Sequence, residues 1–146
     1  MTGTLLILDF KKGKEMLSDV IVLFENIKKR TSMYIYPVNY DTVASMIIGY
    51  NLAMRGCLLD GFQEWITIKF GDKCQLVWDR IILLLTFPDN PGAHCSPIPD
   101  DRLAIDKLFD LLEEFLLIKQ DRNRGTRWIY AQYEQWLKEI EMRQEE

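Results

Sequence analysis

The chain has 146 residues, a formal net charge of −4, and a composition of 48% hydrophobic and 27% charged residues. That balance excludes a disordered or fibrous chain, and the length suffices for one core without metal or disulfide staples. The acidic surplus argues against a binder of nucleic-acid backbone, which needs clustered positive charge to release counterions.

In chain order, Thr4–Phe10 reads as a short strand with no partner strand to pair with. Asp9, Glu15, Asp19 and Glu25 interrupt the apolar positions of residues 1–30, so no secretory signal is expected and the predicted compartment is the cytoplasm. Between Lys14 and Arg30, Met16, Val20, Leu23, Phe24 and Ile27 recur at helical spacing, and Lys28, Lys29 and Arg30 suit a helix C-terminus. Asp41 can cap a second helix that Gly56 ends. Val43, Met46, Ile47, Tyr50, Ala53 and Met54 lie on one face of it, and Ile48 and Leu52 lie on the other. That pattern predicts a central helix buried nearly all round, with Gly49 at a close helix crossing.

The middle is ambiguous. Phe62–Ile66 fits a helical turn, whereas Ile66–Phe70 alternates like a strand; helical neighbours favour a helix. Gln75–Phe87 reads as a helix on Val77, Ile81, Leu84 and Leu85, although its dense Ile/Leu run also suits a buried strand. Its apolar run, Ile81–Phe87, is far short of the ~20 residues of a membrane span. Residues 88–99 hold four of the five prolines and read as a loop inside one fold. Asp101–Gln120 places Ile105, Leu108, Phe109, Leu112, Phe115 and Leu116 on one apolar arc. Trp128–Gln144 repeats the pattern with Ile129, Tyr133, Trp136, Leu137 and Ile140, after a turn at Asn123–Gly125. The expected fold is mostly α: a single domain over residues 1–146, a bundle of about five to six helices with the short N-terminal strand.

The residues that could carry chemistry are few. Cys57, Cys74 and Cys95 form no C-x-x-C pair, so neither a zinc site nor a redox motif is supported. The single histidine, His94, adjoins Cys95 in the Pro-rich loop, and neighbours in sequence seldom point toward one another as a catalytic pair must. No G-x-S-x-G, G-x-x-x-x-G-K-[ST] or G-x-G-x-x-G occurs. The sequence therefore predicts no catalytic residue, no metal ligand and no cofactor. Most carboxylates fall on outward helix positions. Residues 100–146 carry twelve acidic and eight basic side chains, so a charged partner is expected to be basic and to meet the C-terminal third.

Lys29-Arg-Thr-Ser-Met-Tyr-Ile35 resembles a string of the type II topoisomerase ATPase subunit, but Thr31, Ser32 and Tyr36 replace its Pro and glycines, and no D-x-G-x-G follows. A broader resemblance covers residues 28–116. Arg30, Ser32, Met33, Tyr34 and Ile35, then Gly49-Tyr50, Phe62-Gln-Glu-Trp65, Trp78 and Phe109–Phe115 are similar to a group of small bacterial helical proteins. Many of that group resemble immunity proteins, among them those of contact-dependent inhibition systems. The resemblance implies a non-catalytic protein that binds and neutralises a cognate protein toxin. The acidic charge makes a basic nuclease domain the expected toxin, and neither a nucleic acid nor a membrane is expected as a partner. A helical adaptor with no toxin partner stays open as the alternative. Met33, Tyr34 and Ile35 themselves are expected as core residues at a helix-to-helix turn.

Two partner-binding features follow from the helical pattern. Asp106, Asp110, Glu113 and Glu114 fall opposite the apolar arc of their helix, as an exposed acidic stripe. Trp128 projects about 100° from Ile129 and is expected to be more exposed than Trp136, near Arg124 and Arg127. In the competing arrangement Trp128 folds back onto the preceding loop.

Overall fold

The computed structural model describes the backbone of residues 2–95 and 97–146, and side chains from Glu15 onward apart from residue 96. Among the described residues there are seven helices and no strand. The first, α1 (Thr2–Lys29), takes in residues 4–10, so the expected N-terminal strand is part of a helix. A lone strand would leave its backbone groups unpaired, whereas a helix pairs them within the segment. Over the part whose side chains are described, Val20, Phe24 and Ile27 are buried, and Lys28 and Lys29 close the last turn.

A one-turn helix, α2 (Thr31–Tyr34), leads to α3 (Tyr40–Ala53). The cap of α3 is Asn39 and not Asp41. Asn39 is extended; its side chain accepts the Thr42 amide at 2.9 Å, and its own amide donates to Thr42 Oγ1 at 3.1 Å. This reciprocal pair satisfies two orphan donors at once, leaving Asp41 in the first turn. Nor is α3 buried all round. Tyr40, Val43, Ala44 and Ile47 face the core, while Ile48 and Leu52 are exposed. Among the described residues no atom outside the local chain approaches within 4 Å of where a Gly49 Cβ would stand, so no described helix crosses closely there.

The ambiguous middle is helical. α4 (Phe62–Phe70) runs between Gly61 and Gly71, both left-handed at φ 88° and 83°. Trp65, Ile66 and Thr67 are buried in succession, a pattern that an alternating strand cannot produce. α5 (Trp78–Thr86) starts three residues later than Gln75 and buries Trp78, Ile81, Ile82 and Leu83. Gln63 ties the two helices together: its amide donates to the Leu76 carbonyl at 3.0 Å and accepts the Trp78 amide at 2.7 Å.

The central element is α6 (Asp101–Gln120), capped by Asp100, which accepts the Leu103 amide at 3.1 Å. It packs against α1, α3, α5 and α7, and Ile105, Leu108, Phe109, Leu112, Phe115 and Leu116 are all buried, as their spacing predicts. Phe62 sits among the rings of Trp65, Trp78 and Phe115, with centroids 4.8–6.1 Å apart. Such ring pairs add about 0.5–1.5 kcal/mol each beyond their buried area. The last helix, α7 (Gly125–Glu145), is held mainly at its start. Ile129 is its one fully buried residue, seated against Gly61, and Tyr130 donates to Asp60 at 2.6 Å.

Candidate functional site

The acidic side chains of α6 are solvent-facing or half-exposed, as their spacing predicts, but they do not form a free stripe. Lys28 of α1 donates to Asp110 at 2.5 Å, Lys69 of α4 donates to Glu114 at 2.6 Å, and Arg102 lies 3.0 Å from Asp106. The bond to Asp110 raises the Lys28 ammonium above its ordinary value against a smaller opposing effect of burial. Glu113 lies over the same seam between α1 and α6. Four carboxylates thus meet three cations, and the face is nearly neutral. The helical wheel places carboxylates well, but the lysines that cover them come from α1 and α4, whose position against α6 no local pattern contains.

Trp128 is half-buried and packs against the core cluster, with the Arg124 guanidinium 5.7 Å above its ring. Trp128 and Trp136 are both half-buried, so Trp128 does not stand free of the fold as an exposed anchor. Trp136 stacks on Tyr133 at 5.9 Å and lines a groove of about 450 Å³ between α4 and α7. His94 is half-buried and Cys95 exposed in the loop after α5. Among the described residues no group of three or more His, Cys, Asp or Glu side chains is arranged to hold a metal ion. No described helix is long and apolar enough to cross a membrane.

An open cleft of about 850 Å³ lies elsewhere, where residues 34–36 and 97–98 meet the first turns of α3 and α6. Its floor includes Ile35, Met46 and Ile98; Asp41, Thr42, Ser45 and Asp101 supply polar groups. Asp101 accepts the Tyr40 amide at 2.7 Å, which binds the start of α6 to the start of α3. Beneath the cleft, the buried Tyr40 hydroxyl donates to the Asp79 carbonyl at 2.5 Å, and burial pushes its ionisation well above the ordinary range. Arg80 of α5 bridges Asp41 and Asp79. The start of α3 is thereby tied to both α5 and α6 and forms a rigid wall.

The segments that frame this cleft, residues 33–38 and α3, expose several large apolar side chains. Met33 is 70% exposed, Tyr36 is 95% exposed and Leu52 is 72% exposed, with Tyr34, Val38 and Ile48 also exposed. Of the segment expected in the core, only Ile35 is buried, at 8%. The physical reason is the brevity of α2: one turn can direct few side chains inward, and Thr31 and Ile35 occupy those directions. On α3, Asp41, Ser45, Ile48 and Leu52 repeat at three and four residues and form one outward line from the cleft. The sequence contains the signal, apolar residues on two sides of α3, but periodicity cannot tell a second buried face from an exposed one.

No family model, curated protein or solved structure matches this chain.

Proposed function

We propose that this chain is a non-catalytic protein-binding domain that neutralises a toxin, acting through the surface formed by residues 32–38 and the outer line of α3. The observation that carries the binding reading is the clustering of exposed apolar side chains. Six of the thirteen large hydrophobics exposed among the described residues fall between 33 and 52. A soluble domain seldom exposes contiguous apolar surface unless something covers it, and Tyr and Met are enriched at the buried centres of interfaces. Ser32, Met33 and Tyr34, which carry part of the resemblance to immunity proteins, lie on this surface. That coincidence supports a toxin as the partner, and the charge of −4 suits steering onto a basic nuclease domain.

The test is co-expression with the toxin encoded beside this chain's own gene. The wild-type chain should restore growth and co-purify with the toxin. The double variant Tyr36→Glu/Leu52→Glu, which alters only exposed positions, should melt normally yet fail to protect. Protection undiminished by that variant would move the interface elsewhere. A stable complex that leaves the partner's activity intact would replace the toxin reading with that of an adaptor.

A further inference from the structure

We infer that the cleft beside Tyr34 and Tyr36 receives an arginine- or lysine-bearing loop of the protein partner, with the cation held by Asp41 and Asp101 and its aliphatic stem against the two tyrosine rings. This deepens the protein-binding role proposed above and rests on it. Charge is the first argument. The described lining holds two carboxylates, Asp41 and Asp101, and no lysine or arginine. Arg80 reaches Asp41 from α5, but it does not line the cleft.

The obvious competitor is an anion, because α3 and α6 both begin here and helix N-termini attract negative charge. The protein has already spent the amides such an ion would use. The Thr42 amide donates to Asn39, the Tyr40 amide to Asp101 and the Leu103 amide to Asp100. Asp41, Asp100 and Asp101 also place negative charge at those ends, which repels an arriving carboxylate or phosphate. A cation meets the opposite situation.

Shape points the same way. An arginine or lysine has an apolar stem and a charged head, and the cleft pairs an apolar floor of Ile35, Met46 and Ile98 with carboxylates at its wall. Tyr34 and Tyr36 stand exposed at the rim, where their rings can lie against a guanidinium or ammonium. A volume of about 850 Å³ admits a few side chains of a loop but no whole helix.

Amide NMR of the intact ¹⁵N-labelled chain, titrated with the blocked peptide Ala-Arg-Ala-Arg-Ala and its glutamate analogue, tests the inference without any toxin. The arginine peptide should shift Tyr34, Tyr36, Asp41, Ser45 and Met46, and the glutamate peptide should not. Asp41→Asn/Asp101→Asn should weaken that binding about tenfold, as expected for losing two partly exposed ion pairs. If the double variant melts early, Asp41→Asn alone serves, with a loss of about threefold. Equal shifts with the glutamate peptide, shifts centred on Asp106–Glu114, or no shifts would overturn the inference. Concentration-dependent shifts of the same residues without peptide would overturn it too, by making a second copy of the chain the occupant. Because no toxin enters this assay, arginine binding without growth protection would remove only the toxin reading. Protection without arginine binding would remove only the cation.

Discussion

The division of residues 33–36 between core and surface makes a quantitative prediction. Ile35 is 8% exposed and belongs to the hydrophobic core, whereas Tyr36, one residue on, is 95% exposed. Ile35→Ala removes three buried carbons, worth ~0.8 kcal/mol each, or about 2.4 kcal/mol. The cavity left behind raises the cost to about 3–3.5 kcal/mol. For a chain of 146 residues a loss of 1 kcal/mol lowers the melting temperature by roughly 2–4 °C, so Ile35→Ala should melt about 6–14 °C early. Tyr36→Ala and Met33→Ala remove side chains already in water and should stay within about 0.5 kcal/mol, or roughly 2 °C, of wild type. Thermal unfolding followed by circular dichroism measures all three. If Tyr36→Ala or Met33→Ala melts as early as Ile35→Ala, the segment packs inward, and the surface proposed for partner binding does not exist.

The tryptophans of α7 should separate in the opposite sense to the one their helical positions suggest: Trp128→Ala loses core packing and should lower the unfolding free energy measured in urea by about 2 kcal/mol, and Trp136→Ala by less. Equal losses would show that the groove lined by Trp136 is part of the core. Gly61→Ala should cost about 1–2 kcal/mol, because φ is 88° and the new methyl would stand 3.4 Å from Ile129 Cγ2. A gain in stability would mean that the turn relaxes freely and α7 is not anchored there. Tyr130 should ionise late, pushed up to about 12 chiefly by its hydrogen bond to Asp60 and then by burial. Its folded value exceeds its unfolded one, so its contribution to stability is complete below pH ~10 and is lost as pH rises to about 12. Tyrosinate absorbance should show one group moving back toward ~10 in Asp60→Ala, and an unchanged titration would refute the bond. Asp110→Ala and Glu114→Ala should each cost under about 1 kcal/mol, since their partners are partly exposed lysines, and a larger loss would mark either pair as structural.

Local pattern decided most of the helices, because amphipathic periodicity and end signals act within one or two turns. The apolar arc of α6 and the loop at 88–99 come from that level, whereas over Ile66–Phe70 the local pattern alternates like a strand and only the helical neighbours favour the helix that forms. What the pattern could not decide is which apolar faces find a partner. Ile48 and Leu52 look like a second buried face of α3, yet no other helix covers them, and Gly49 looks out on open space. The acidic positions of α6 look free until Lys28 and Lys69 arrive from α1 and α4. Trp128 looks exposed on a helical wheel, yet its ring is half-buried against the core. Helical spacing is set by backbone hydrogen bonds four residues apart, so it can be read along the chain. Coverage is set by neighbours tens of residues away: Asp101 holding the Tyr40 amide, Lys28 reaching Asp110, Ile129 meeting Gly61. The surface left uncovered by those long-range contacts, the proposed place of binding, exists only in the folded chain.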